Sequence, residues 1–252
     1  MQMKKASHVC ETHGKHECTI YNLGKGWWDT FCTVCQDEAQ RKEIEAEKHK
    51  KAAAEKQAFA KKVDGLIAKA DIPKRFENAS IYNFDPVTPK AKKNAEAIQR
   101  YAADFEKHRA DGRSIILTGN TGTGKTHLAI GLLNTLLRSG HSCKYTSVEK
   151  AASFYMESRN YGKDKRTKQK AIESYTHPEL LVIDEAGLQK SDMNREILFE
   201  IVDNRYSSKK PTIMISNLTT EELDEAVGQR VTDRLRDNGG AIISFNWESQ
   251  RK

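Results

Sequence analysis

The sequence predicts an α/β protein in which a parallel sheet is covered by helices and is preceded by a small cysteine-rich module and a long charged helix. Residues 1–35 hold four of the five cysteines. Residues 36–70 are rich in Ala, Glu, Lys and Gln, which favour helices. Residues 71–252 alternate short apolar runs with helical patterns, as parallel strands buried between helices do. We therefore expect three regions with these boundaries.

Composition excludes several classes of protein. The 252 residues carry a net charge of +7, and 37% of them are hydrophobic, which is enough for a core and excludes a fully disordered chain. No stretch approaches the roughly 18 uninterrupted apolar residues of a membrane span. No apolar segment follows Met1–Lys5, so we expect no secretory signal, no membrane association and a cytoplasmic location. A basic excess permits contact with nucleic acid without indicating it.

Two close-spaced pairs of metal-ligand side chains lie in residues 1–35. They are Cys10-x-x-His13 and Cys32-x-x-Cys35. Such pairs can form a tetrahedral zinc site of three thiolates and one imidazole, and four protein ligands are typical of a structural site. The sequence leaves three competing ligands open, which are Cys18, His8 and His16. We interpret Cys143, in the globular region, as a small apolar side chain.

Residues 36–70 predict a single solvated helical arm. Its large apolar residues do not repeat at heptad spacing, which disfavours a coiled coil. These residues are Ile44, Phe59, Val63, Leu66 and Ile67. A helix that docks on a partner protein is the alternative interpretation. Pro73 disfavours helical backbone at residue 72 and therefore marks the start of the globular domain.

Strand and helix patterns alternate through the globular domain. Short apolar runs predict strands at 114–118, 142–148, 179–183, 212–216 and 241–245. Amphipathic patterns predict helices at 90–109, 126–138 and 192–206. Strands separated by helices favour a parallel sheet, because parallel neighbours need a crossover connection.

A glycine-rich loop joins the strand 114–118 to the helix 126–138. Its residues, which are Gly119, Asn120, Thr121, Gly122, Thr123, Gly124, Lys125 and Thr126, match G-x-x-x-x-G-K-[ST] at every fixed position. Such a loop directs backbone N–H groups at phosphate oxygens, and the following helix adds its positive end. We expect Lys125 to contact the β- and γ-phosphates of a nucleotide and Thr126 to bind Mg²⁺.

Polar side chains follow two of the other predicted strands. Asp184 and Glu185 follow 179–183, where we expect Asp184 to hold Mg²⁺ and Glu185 to orient or deprotonate the attacking water. Asn217 follows 212–216, and a strand between the other two would aim its side chain at the γ-phosphate. Capping of the next turn is the alternative role for Asn217.

Arg230 and Arg234 lie four residues apart and therefore share a helical face. An arginine there can reach the γ-phosphate of a neighbouring subunit as an arginine finger does. A solvated basic helix is the alternative, and the sequence leaves open which arginine acts across the subunit boundary.

Together these residues resemble the AAA+ ATPases, and more narrowly the DnaC-type bacterial helicase loaders and their IstB-like relatives. The resemblance spans roughly residues 72–250. Besides the phosphate loop and the acidic pair it rests on Ile72–Phe76, Ile201–Tyr206, Pro211-Thr212, Ser216-Asn217, Gly228–Arg236 and Phe245–Ser249. It implies a P-loop AAA+ domain that binds ATP, self-assembles on the hexameric replicative helicase, opens its ring and places it on single-stranded DNA. An IstB-like helper of DNA transposition is the alternative.

The resemblance also implies residue roles. The family residues that bind and hydrolyse ATP with Mg²⁺ match Lys125, Thr126, Asp184 and Glu185. Asn217 matches sensor 1, Arg234 matches the arginine finger, and Arg230 is a nucleotide-sensing neighbour. The segment 72–76 resembles the stretch that leads into the adenine pocket. We expect slow hydrolysis that DNA or a partner stimulates.

Residues 149–176 lie where the family carries an additional helix that faces single-stranded DNA. Between residues 157 and 170 the basic residues outnumber Glu157 and Asp164; they are Arg159, Lys163, Lys165, Arg166, Lys168 and Lys170. Tyr155 and Tyr161 lie among them, and rings beside phosphate-binding cations suit single strands. A solvated charged loop is the alternative.

The cysteine pairs of residues 1–35 resemble those of prophage-type members of the family, which pair Cys-x-x-His-Gly with Cys-x-x-Cys. A zinc module followed by a charged arm suits docking on a protein partner. A DNA-binding zinc finger attached to an inactive ATPase is disfavoured, because the nucleotide motifs are intact.

Overall fold

The computed structural model describes residues 2–22, 27–28, 33–161, 165–188 and 191–250. The chain divides into two units, Met1–Ala60 and Lys61–Lys252. Among the described helices, none is long and apolar enough to cross a membrane.

The first unit contains a three-stranded antiparallel sheet that the sequence analysis did not predict. Its strands are β1 (Gln2–Cys10), β2 (Gly14–Asn22) and β3 (Trp27–Trp28). They pair in the order β1-β2-β3, with Cys10 opposite Gly14 at the turn. The helix α1 (Thr33–Lys69) begins in this unit and ends in the second, and most of its side chains are exposed.

The second unit is built on a five-stranded sheet whose strands are all parallel. They are β4 (Ile115–Gly119), β5 (Cys143–Ser147), β6 (Leu180–Asp184), β7 (Thr212–Ile215) and β8 (Ala241–Phe245). The order across the sheet is β5-β6-β7-β4-β8. The predicted fold class is therefore confirmed, and each strand lies close to its predicted range.

Eight helices of the described chain belong to the second unit besides the end of α1. They are α2 (Pro89–Ala103), α3 (Phe105–Asp111), α4 (Lys125–Arg138), α5 (Val148–Tyr161), α6 (Lys165–Thr176), α7 (Asp192–Ser207), α8 (Thr220–Val227) and α9 (Gln229–Arg236). The prediction of a single helix over 90–109 is wrong, because two helices, α2 and α3, occupy this range. Asp104 leaves helical geometry with ψ of 19°, and its N–H caps α2 through the carbonyls of Arg100 and Ala102.

Two apolar cores lie on opposite faces of the sheet, because alternate residues of a strand point to opposite sides. Ile115 and Leu117 contribute to a core with α2 and α4, whereas Ile116 contributes to the core with α5, α6, α7 and α9. Burial of both faces explains why the inner strands β6 and β7 are nearly continuous apolar runs rather than alternating ones.

Candidate nucleotide-binding site

The glycine-rich loop lies between β4 and α4, at the carboxyl edge of the parallel sheet. Gly119 and Gly124 have φ of +114° and +95°, a region that side chains with a Cβ rarely adopt. A Cβ at Gly119 would overlap the Phe245 carbonyl, and one at Gly124 would overlap the ring of Phe84. Both glycines of the motif are therefore required by the conformation of the loop and by its neighbours.

Lys125 is held within this loop. Its side chain is buried, and its Nζ donates hydrogen bonds to the carbonyl oxygens of Gly119, at 2.7 Å, and Asn120, at 2.6 Å. Asn120 is itself anchored, because its backbone N–H donates to Phe245 O and its Nδ2 donates to Trp247 O. The loop thus surrounds a fixed positive charge.

Three donors converge on the carboxylate of Asp184, which is 7% exposed at the end of β6. Thr126 Oγ1 donates to Oδ2 at 2.9 Å, Tyr145 donates to the same oxygen at 3.0 Å, and the Glu185 N–H donates to Oδ1 at 2.7 Å. Burial and the Asp184 charge raise the pKa of Tyr145, so its hydroxyl remains a donor at neutral pH. The sequence analysis did not identify Tyr145.

Glu185 follows β6 and Asn217 follows β7, and these two strands are neighbours in the sheet. Both residues therefore lie at its carboxyl edge. Glu185 has φ of +60°, which turns the chain sharply after Asp184. The Ser216 hydroxyl donates to Ala186 O at 2.6 Å and thereby ties the turn after Glu185 to the residue before Asn217. Ser216 belongs to the stretch that carries the family resemblance, but no role of its own follows from the sequence.

One cavity of about 300 Å³ gathers most of these predicted residues. Its lining includes Thr121, Gly122, Thr123, Gly124, Lys125, Thr126, Asp184, Glu185 and Asn217. Arg75, Phe76 and Phe84 line it as well, and the Arg75 guanidinium lies 4.6 Å from the centre of the Phe76 ring. A cavity with phosphate-loop donors, carboxylates and aromatic rings has the groups needed for a nucleotide and a divalent cation.

Arg230 and Arg234 do not line this cavity of their own chain. Arg234 forms an ion pair with Asp203, 2.7 Å away, and stacks 4.6 Å from the centre of the Phe199 ring. Arg230 is exposed on α9. Neither predicted arginine therefore lies in the lining of its own chain's cavity: Arg230 is exposed, and Arg234 is half-buried and paired with Asp203.

A second group of candidate ligands lies in the first unit. The ligand atoms of Cys10, His13 and Cys35 lie within 4.8 Å of one another, with 3.5 Å between the two sulfurs. Sulfurs about 2.3 Å from a tetrahedral zinc lie about 3.8 Å apart, so these residues fit a zinc ion. Hydrogen bonds from the backbone N–H groups of His13 and Thr12 lower the pKa of Cys10 to about 6.

Cys32 lies outside the described residues, as do the side chains of Cys18, His8 and His16. The structure adds Glu38, whose Oε1 lies 3.2 Å from Nε2 of His13. A carboxylate on the outer nitrogen of a ligating histidine fixes its tautomer.

The described residues of the basic segment 149–176 lie in α5 and α6. Lys170 is exposed, whereas Lys163 and the side chains of Arg159, Tyr161, Lys165, Arg166 and Lys168 lie outside the described part of the chain. The prediction that Tyr155 stacks on bases is wrong, because its ring is 6% exposed and belongs to the core between α5, α6 and α7.

Comparison with known proteins places the chain in one family. The family described as IstB-like ATP binding protein matches residues 48–252. The replicative helicase loader DnaC of Escherichia coli (strain K12) is 34% identical over 203 residues, which cover 79% of this chain and 80% of that one. DnaC of Buchnera aphidicola subsp. Baizongia pistaciae is 34% identical over 194 residues, or 77% of each. A crystal structure of the DnaC helicase loader shares the fold, with TM-score 0.62, 22% identity and coverage of 69% of this chain and 99% of that chain.

Proposed function

The chain belongs to the IstB-like family of ATP-binding proteins, and from this premise we propose that it is an ATP-dependent loader of the replicative DNA helicase. The observation that carries the proposal is that the phosphate loop, the acidic pair and Asn217 meet at one cavity. They do so in a chain 34% identical to proteins named replicative helicase loader. ATP, Mg²⁺ and a helicase partner follow from this proposal.

ATP binding uses the phosphate loop and the start of α4. The N–H groups of the loop and the start of α4 receive the phosphates, and Lys125 leaves the carbonyls of Gly119 and Asn120 to contact the β- and γ-phosphates. Thr126 and Asp184 are the residues that would hold Mg²⁺, which neutralises charge on the phosphates when bound. Their hydrogen bond at 2.9 Å supports this pairing.

Hydrolysis of ATP to ADP and phosphate requires a base and a sensor near the γ-phosphate. Glu185 accepts the proton of the attacking water, and Asn217 donates to a γ-phosphate oxygen. Arg234 of a neighbouring copy supplies the remaining positive charge, with Arg230 beside it. Support for a role in a neighbouring copy is that neither arginine lines the cavity of its own chain and that Arg230 is exposed.

The N-terminal region is proposed as the docking module. Cys10, His13 and Cys35 hold zinc together with Cys32, and the site is structural because all four ligands come from the protein. The module of residues 1–35 and the arm of residues 36–70 bind the helicase, while residues 71–252 bind ATP. The basic segment 149–176 contacts single-stranded DNA through its cations rather than through Tyr155.

A pull-down with a replicative helicase and with a transposase tests this function. Stable, ATP-dependent association with the helicase alone is the expected result. The family description as IstB-like makes a helper of DNA transposition the second candidate, and binding to the transposase alone would establish it. Removal of residues 1–35 should abolish helicase binding and leave DNA binding intact, whereas the reverse would identify a DNA-binding finger.

A further inference from the structure

We infer that Tyr145 is a positioning residue of this ATP site, whose hydroxyl holds the Asp184 carboxylate in the orientation that binds the divalent cation. The inference rests on the proposed function, because it assigns a role within the same site. It names a residue outside the phosphate loop, the acidic pair and the sensor.

The sheet register brings Tyr145 to Asp184. Strand β5 runs parallel to β6, and Ser147 lies opposite Asp184. Tyr145 lies two residues before Ser147 and therefore projects from the same face of the sheet. Its side chain extends along that face until the hydroxyl reaches Asp184 Oδ2 at 3.0 Å.

Tyr145 is itself fixed on both sides. Its backbone N–H donates to Ala70 O at 2.8 Å, and its ring packs against the core that contains Val182 and Leu128. A long side chain that is held in this way restricts the direction of the hydroxyl. It can therefore constrain a neighbouring carboxylate at little further cost in entropy.

The Tyr145 hydroxyl differs from the other donors to Asp184. Thr126 also donates to Oδ2, but a lone pair of the same hydroxyl is expected to ligate the cation. The Glu185 N–H holds the other oxygen, Oδ1. Tyr145 is thus the donor to Oδ2 that has no second duty, and it acts as an outer partner that orients a metal ligand.

Tyr145→Phe tests the inference because it removes the hydroxyl and keeps the ring. Binding of a fluorescent ATP analogue is measured against Mg²⁺ concentration and again in EDTA. We expect the Mg²⁺ midpoint to rise about tenfold, since hydrogen bonds to charged groups are strong, and affinity in EDTA to change less than about twofold. Tyr101→Phe is the matched control, because it removes a buried hydroxyl that donates to Arg113 O at 2.6 Å.

A double-mutant cycle with Asp184→Asn separates positioning from general stability. If Tyr145 acts through Asp184, Tyr145→Phe should not raise the midpoint further in the Asp184→Asn background. The inference is overturned if Tyr145→Phe shifts the midpoint no more than Tyr101→Phe, or shifts it equally with Asp184→Asn present. Failure of the ATP binding on which the proposed function rests looks different, because the unmodified chain would then bind no ATP with Mg²⁺ at all.

Discussion

Thr126 Oγ1 lies 2.9 Å from Asp184 Oδ2, although 58 residues separate them along the chain. The parallel strands β4 and β6 end at one edge of the sheet with β7 between them. Helix α4, which begins at the phosphate loop, packs on the face to which Asp184 points. The fold therefore brings both proposed Mg²⁺ ligands together.

Lys125→Ala should reduce ATP affinity about a hundredfold or more, because the only cation within the phosphate loop is lost. Titration with a fluorescent ATP analogue measures this effect. Lys107→Ala is the control, since Lys107 is exposed on α3, away from the cavity. Equal affinity of the Lys125 variant and the unmodified chain would show that the phosphates bind elsewhere.

Gly124→Ala should weaken both the loop and the fold. The new methyl group meets the Phe84 ring at a left-handed φ of +95°, and such strain costs about 1–3 kcal/mol. Gly65→Ala should have the opposite effect. Nothing lies within 4 Å of a Cβ at this position in α1, and alanine is more favourable than glycine in a helix by up to about 1 kcal/mol. The midpoint temperature of thermal unfolding should therefore fall for Gly124→Ala and rise slightly for Gly65→Ala.

Arg234→Ala should lower ATP hydrolysis by about a thousandfold in the assembled state without changing ATP affinity. Arg236→Ala is a useful comparison, because Arg236 is bound to both oxygens of Asp224, at 2.9 and 3.0 Å. Its loss should affect stability rather than turnover.

A mixing experiment tests whether Arg234 acts across subunits. Arg234→Ala and Glu185→Gln chains are each inactive alone, yet a mixture contains interfaces with an intact glutamate and an intact arginine. Recovery of hydrolysis on mixing is expected. A mixture as inactive as its components would place the arginine in its own chain's reaction.

Purified protein should contain about one zinc ion per chain. Cys10→Ser and His13→Ala should lose it, whereas Cys143→Ala should retain it, since Cys143 is buried in the second unit. Mass spectrometry of the unmodified chain and of each variant measures the zinc content. Cys32→Ser and Cys18→Ser identify the fourth ligand, and retention of zinc by both would contradict the proposed set.

The sequence was most informative where local pattern and fold agree. The phosphate loop and the buried strands were predictable because a strand, a glycine-rich turn and a helix are each visible in consecutive residues. Buried parallel strands must be apolar, so the carboxyl edge that carries Asp184 and Asn217 could also be located.

Contacts between distant residues were not predictable in the same way. The partnership of Tyr145 and Asp184 depends on the register between β5 and β6, which no local pattern specifies. Arg205 is fully buried and donates to Thr212 and to the carbonyls of Tyr175, Pro178, Glu179 and Pro211, whereas its sequence context indicated only a helix. The prediction for Tyr155 was wrong because many of its sequence neighbours are charged, which suggested a solvent-exposed segment. The face of α5 that carries Tyr155 is in fact buried in the core.

The most direct test is a crystal structure of the chain with Mg²⁺ and a non-hydrolysable ATP analogue. The account predicts phosphates within the loop of residues 119–126, with Lys125 turned away from the carbonyls of Gly119 and Asn120 and the cation between Thr126 and Asp184. Nucleotide density elsewhere, with Lys125 still bound to those carbonyls, would contradict it.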